Sequence, residues 1–182
     1  MPSPTSQHRR RLRLAFTLVD ILAVVVILGI TAAIILPQMG NRDDLRCASM
    51  ARVLMSDLVY AQSRAVSTQT RHYVRFDTAN SRYEVLDRLT PSEQLVTHPI
   101  NKSPFQVLLG AARGDELAEV VFDTVSFDGQ PVLMFDDLGT PHAYNPNTSS
   151  SSALVAGSIG LRSNAYVLTI TVEPYSGELR VN

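Results

Sequence analysis

The chain predicts an α+β fold: one long N-terminal helix, apolar in its first half and amphipathic in its second, packed on an antiparallel β-sheet head. Three observations predict it. Phe16–Leu36 (FTLVDILAVVVILGITAAIIL) is a long apolar run broken by one acid, Asp20. From Asn41 to about Ser67 apolar residues recur every three or four positions, the helical period. After Thr70 the period drops to two, the mark of half-buried strands. At 182 residues the chain is long enough for one domain on a stalk.

The apolar run holds twenty-one residues, about 32 Å of helix at roughly 1.5 Å per residue, which matches a hydrocarbon core of about 30 Å. His8, Arg9, Arg10, Arg11 and Arg13 precede it and Pro37 closes it. Such a basic flank predicts an N-terminus on the cytoplasmic side of a membrane. A carboxylate within the span costs about 2.5–3.5 kcal/mol at mid-bilayer and less near the interface, so Asp20 needs compensation. Two plainer readings fit the same stretch. A single-pass anchor has the same hydrophobicity and flank, but needs no acid in its first turns. A cleavable secretory signal could end at Thr31-Ala32-Ala33, although Ile34-Ile35-Leu36 prolong the run past that site.

A short basic leader, a small residue, Phe-Thr-Leu-Val-acid and then a hydrophobic helix resemble the processing signature of type IV pilins and type II secretion pseudopilins. The resemblance implies that a prepilin peptidase cuts between Ala15 and Phe16 and methylates the new amine. Asp20 then becomes the fifth residue of the mature chain, and Pro37 falls at the family's helix-kinking proline. The family usually has Gly where this chain has Ala15, and Glu where it has Asp20, a reach shorter by one methylene. In a filament of bundled helices, a buried carboxylate can face the N-terminal ammonium of a neighbour. At about 4 Å and an effective dielectric near 20, that attraction is roughly 4 kcal/mol, comparable to the burial cost. Asp20 is thereby expected to act as an assembly latch that favours one axial register.

In the second half of the helix, Cys47, Ala51, Leu54, Leu58, Ala61 and Ala65 form a narrow apolar stripe, which Met50, Met55 and Val59 are expected to widen. Gly29, Pro37 and Gly40 are the weak points of the combined helix, with a kink or local melting expected near residues 36–40. The run Arg52-Val-Leu-Met-Ser-Asp57-Leu58-Val-Tyr-Ala61-Gln-Ser63-Arg-Ala65 resembles the helix of GspH/FimT-type minor pseudopilins. Gln62 stands where that family commonly has Arg, on a side expected to be solvated. Cys47 is the only cysteine, which excludes an intrachain disulfide, and its place on the stripe predicts an inert packed thiol.

In the head, His72–Phe76 and Arg82–Leu86 alternate apolar and polar residues around Asp77–Ser81, a hairpin. Leu89–Gly114, with Pro91, Pro99 and Pro104, predicts an extended excursion with a short strand at Gln106–Leu109. Strands are expected at Glu119–Phe122, Val125–Phe127, Val132–Phe135, Ser158–Leu161, Tyr166–Val172 and Glu178–Val181. Turns are expected at Asp128–Pro131, Phe135–Pro141 and Pro174–Gly177. Asn145–Ser152 (NPNTSSSS) reads as a mobile polar loop. The order F-D-x-x-G-T-P, G-x-I-x-L and I-T-V-x-P-x-x-G-x-L-R-V also resembles the C-terminal half of GspH/FimT-type heads. The resemblance covers roughly 15–70 and 120–182, and divides the chain into a leader (1–15), a transmembrane and assembly half-helix (16–40), an amphipathic half-helix (41–70) and a periplasmic head (71–182).

The formal net charge of −1 falls to −5 without the four arginines of residues 1–15, which argues against a nucleic-acid surface. The four histidines lack metal-ligand spacing, no Ser lies in G-x-S-x-G, and no Gly-rich phosphate loop is present. Asp136-Asp137 lacks a regular calcium-loop frame and reads as a capped turn. No enzyme, metal or cofactor is expected. The expectation is a structural minor pseudopilin in the bacterial inner membrane, its N-terminus cytoplasmic and its head periplasmic. Its implied partners are other pseudopilins, prepilin peptidase, and secreted cargo or an outer-membrane channel met through 89–114 and 145–152. A minor pilin of a type IV pilus or competence filament, and a non-polymerising tethered β-domain that binds an envelope ligand, are the alternatives.

Overall fold

The structure is a computed structural model that describes residues 18–38, 42–109 and 119–182, with the backbone alone over 34–38. The chain divides into two units at Asn41/Arg42. The first holds helix α1, Leu18–Gln38. The second begins with helix α2, Asp43–Thr68, and continues into the β head. Where the sequence predicts one continuous helix, the described residues thus hold two. Helix α1 passes Pro37 and runs to Gln38; the rest of the expected weak point, residues 39 and 40, lies outside the described residues.

Helix α2 starts with Asp43 and Asp44 in its first turn, where negative charge complements the helix dipole. Asp43 is buried and binds the head: Oδ1 accepts from Ser163 Oγ (3.0 Å) and from Asn164 Nδ2 (3.2 Å). The helix stops at Gln69, which adopts the left-handed conformation (φ 51°) and donates its N–H back to Ala65 and Val66 carbonyls. The predicted stripe is the buried face: Cys47, Ala51, Leu54, Leu58, Ala61 and Ala65 are all buried, with Met50 beside them. Met55 is half-buried, but Val59 is exposed and does not widen that face. It lies one position beyond Leu58, and a single step of about 100° turns it out of the interface.

The head holds eleven strands among the described residues, in two antiparallel sheets. The first sheet is built on β1 (His72–Asp77) and β2 (Arg82–Arg88), a hairpin whose turn is fixed by Asp77 accepting from Asn80 and Arg82. Two short strands, β3 (Gln94–Leu95) and β4 (Gln106–Leu108), lie on the outer edge of β2. On the other side follow β6 (Val132–Phe135), β7 (Pro141–Asn145) and β8 (Ser150–Ala153). The second sheet runs from β5 (Val120–Phe127) through β9 (Gly157–Ser163) and β10 (Tyr166–Val172) to β11 (Leu179–Val181). The two strands expected at 119–122 and 125–127 are one, β5, with a register shift between Phe122 and Val125. Gly160 faces that shift: a Cβ there would lie 2.8 Å from Thr124 Oγ1.

Helix α2 packs on β1 and β6 of the first sheet and on β5, β9 and β10 of the second. Phe76, Tyr83, Phe122 and Phe127 form an aromatic cluster in that core, with ring centroids 5.5–6.4 Å apart. Strand β6 is buried on both faces. Leu133 and Phe135 join the main core, while Val132 and Met134 join a smaller one with Leu86, Leu89 and Tyr144. The expected loop 145–152 is overturned in part. Ser150, Ser151 and Ser152 belong to β8, which pairs with β7 in unbroken register, and 146–149 form the turn between them, so the segment is a hairpin rather than a loop.

Candidate functional site: the apolar helix and the head surface

Helix α1 bears every described residue on which assembly is expected to rest. Asp20 lies in its first turn and is its one acidic side chain. Pro37 lies at its end. Ala15 and Phe16, where cleavage is expected, lie outside the described residues. Side chains from Leu18 to Ala33 are exposed on all sides of the helix, among them Val19, Leu22, Val25, Val26 and Ile30. A helix that is apolar all round is stable only when something outside it covers it. Its one described hydroxyl already bonds within the helix: Thr31 Oγ1 donates to the Ile27 and Leu28 carbonyls at 2.9 and 3.0 Å. Among the described residues no helix is long and apolar enough to cross a membrane. The side chains described for α1 stop at Ala33, and the apolar stretch in the sequence runs on to Leu36.

The head surface is held by specific polar contacts. Gln62, expected on a solvated side, is half-buried, and this corrects the reading. Its Nε2 donates to the Gly139 carbonyl and to the Ser176 carbonyl, both at 2.9 Å. One side chain of α2 thereby ties down two turns, 136–140 and 174–177. Both turns need glycine: Gly139 and Gly177 have positive φ (83° and 71°), and a Cβ on Gly177 would meet Gln62 Nε2 at 2.7 Å. No local signal in the sequence marks Gln62, because its partners lie 77 and 114 positions away.

The turn at Asp136 is the capped turn expected. Oδ1 accepts from the N–H groups of Leu138 (3.0 Å) and Thr140 (2.7 Å), and Oδ2 lies 3.2 Å from His142 Nε2. Burial pushes the Asp136 carboxyl up, but those hydrogen bonds and His142 outweigh it and hold it below the ordinary value. Cys47 is buried with its thiol pushed up, first by burial and then by Asp43, as befits an unreactive packed group. The described residues hold no cluster of His, Cys, Asp and Glu suited to a metal ion.

The excursion after β2 is pinned rather than free. Arg75 on β1 binds the buried Glu84 at 2.6 Å and reaches out to Glu93 at 2.5 Å. The arginine holds the Glu93 carboxyl below its usual range. Val96 and Phe105 are buried against the core. The tip stands clear, with Ile100 81% exposed. Beside it, Val53, Tyr60, Phe105 and Ile100 line a cleft of about 330 Å³ against α2.

This arrangement has known counterparts. The minor pseudopilin EpsH from the type 2 secretion system of Vibrio cholerae matches with a TM-score of 0.52 and 14% identity, over 75% of this chain and 96% of that one. A second structure of the same pseudopilin gives a TM-score of 0.52 and 13% identity, over 78% and 95%. The chain has the fold of a minor pseudopilin. The fold agrees with the GspH/FimT resemblance carried by 52–65 and by the C-terminal motifs. The type IV minor pilin FimU of Pseudomonas aeruginosa aligns at 16% identity over 75% of the chain and 87% of its own, with a TM-score of 0.47. No family model matches the sequence, and no curated protein does either.

Proposed function

We propose that the protein is a minor pseudopilin of a type II secretion pseudopilus: a structural subunit and not an enzyme. Prepilin peptidase cuts it between Ala15 and Phe16. Residues 16–40 then hold it in the bacterial inner membrane, with the head on the periplasmic side. Asp20 meets the N-terminal ammonium of a neighbouring subunit as the helix leaves the membrane for the filament, and Pro37 allows the helix to bend there. Other pseudopilins are its partners, and the excursion around Ile100 meets cargo or the outer-membrane channel.

The observation that carries this reading is the union of two parts. The β head packs a helix in the pseudopilin manner, and the same chain bears an apolar helix whose described side chains are exposed. A tethered ligand-binding domain needs only the first part and an anchor, with no acid in it. The same architecture would serve a minor pilin of a type IV pilus or competence filament. Deleting the gene and scoring secretion against piliation separates the two.

The test is the intact mass and N-terminal sequence of the membrane-extracted protein, with and without co-expressed prepilin peptidase. A peptidase-dependent start at Phe16, about 14 Da heavy from one methyl group, is expected. A chain that still begins at Met1 or Pro2 would leave a tethered domain, and a start near Ala33 would mean an ordinary signal peptide.

A further inference from the structure

Each of the two sheets has two edges, and among the described residues three of the four edges are guarded. An open strand edge offers unpaired N–H and C=O groups to any extended chain, so proteins block edges with charge, proline, bulges or very short strands. Beside β2, strands β3 and β4 have only two and three residues and are separated by Pro99 and Pro104. Edge strand β11 carries Arg180, which is paired with Glu178 at 3.3 Å and Glu173 at 3.5 Å. Edge strand β5 is broken by its register shift and carries Asp123, paired with Arg162 at 2.9 Å.

The fourth edge, β8, has none of these along its own residues; Asp128 accepts from the N–H groups of Val155 and Ala156 beyond its end, both at 2.9 Å. Ser150-Ser151-Ser152-Ala153 is exposed throughout, pairs with β7 without a shift, and contains neither charge nor proline. The sequence has no Asp, Glu, Lys or Arg anywhere from Leu138 to Leu161. The direction of the free groups follows from the ladder. Leu154 donates its N–H to the Pro141 carbonyl at 3.2 Å, so Leu154 faces β7. Antiparallel alternation then turns Ser152 and Ser150 toward β7, and turns the N–H and C=O of Ser151 and Ala153 outward. Immediately beyond the strand stands Val155, 76% exposed, an apolar contact for whatever lies alongside.

We propose that the outer edge of β8 receives an extended, uncharged segment of a neighbouring filament subunit, which adds to the seven-stranded sheet as a further strand and sets an apolar side chain against Val155. Backbone pairing supplies the attachment, and the small serine side chains leave it unobstructed. The size of the contact selects the partner. Two outward-facing residues bury far less than the roughly 1,000 Å² that a free-standing complex needs. Such a strip holds only molecules already kept together, where effective concentration replaces contact area. This inference therefore rests on the pseudopilin reading.

Hydrogen exchange tests it on the full chain, co-expressed with the other pseudopilins of its own system and compared as the isolated protein and as the purified assembly. The amides of Ser151 and Ala153 are expected to exchange at least about tenfold more slowly in the assembly, while Ser152, already bonded to β7, changes little. Ser151→Pro removes an outward donor and leaves the inner ladder intact, as proline does on an edge. It is expected to keep the wild-type melting temperature and to lower co-assembly about tenfold or more. An assembly in which Ser151 and Ala153 exchange as fast as in the isolated chain overturns the inference alone, and this holds even where the proline variant misfolds. Equal protection in the isolated chain at the same concentration means that a second copy occupies the edge, and overturns the choice of partner. Failure of the wild-type chain to enter any assembly overturns the pseudopilin reading and this inference with it.

Discussion

The two helices of this chain solve opposite problems. Helix α2 is polar on most of its circumference and apolar along one narrow stripe, and the two sheets cover that stripe completely. Helix α1 is apolar all round, and none of its described side chains is covered. The apolar stripe of α2 is covered within the head, while the described side chains of α1 are exposed. The contrast teaches that the head is stabilised internally, whereas under the proposed function α1 would contact a bilayer or a bundle of like helices.

Three predictions sharpen this contrast. The largest expected effect is in the covered stripe. Leu58→Ala should cost the head about 2–5 kcal/mol in thermal or denaturant unfolding, whereas Val25→Ala in α1 should leave head unfolding unchanged. Equal losses at both sites would mean that α1 belongs to the head's folding unit. Next is the clamp. Gln62→Ala leaves the Gly139 and Ser176 carbonyls without their donor, at a cost of about 1–3 kcal/mol, read as a lower melting temperature. An unaffected melting temperature would show that solvent replaces the clamp.

The smallest effect is on the acid limb. The Asp136 carboxyl is held below its ordinary value, so in the folded state it binds its proton less readily than in the unfolded chain. Its contribution is present above the ordinary carboxylate pKa of about 3.9 and is lost as pH falls through the lowered folded value. Asp136→Asn should therefore reduce stability at neutral pH and flatten the decline at acid pH. A variant with the wild-type acid limb would contradict that assignment.

Much of this was legible in the sequence, for physical reasons that differ by element. The stripe on α2 and strands β1 and β10 could be read directly because one buried face imposes its period on the residues, and β6, buried on both faces, reads as a short apolar run bounded by turns. The strand β8 could not, because three serines and an alanine carry no period. It exists through its pairing with β7, a tertiary cause that overrides local preference. Gln62 looked solvated for the same reason, since both of its partners come from the far end of the chain. Val59 was misplaced because a narrow stripe tolerates less widening than a flat interface would. The pinning of the excursion depends on Arg75 and Glu93, whose contact across 18 positions has no local signature. Of the expected assembly residues, Asp20 and Pro37 lie in α1; Asp20 stands out as one acid in an apolar run, and Pro37 as the proline that closes it.

The most direct test of the central claim compares wild type, Asp20→Ala and Asp20→Glu in cells that hold the other pseudopilins and prepilin peptidase. Membrane insertion, cleavage and co-assembly are scored separately. Asp20→Ala is expected to insert and be cleaved normally but to co-assemble about tenfold less or worse, and Asp20→Glu to co-assemble like wild type. Normal co-assembly of Asp20→Ala would contradict the account, because the one charge in the uncovered helix would then have no part in bringing subunits together.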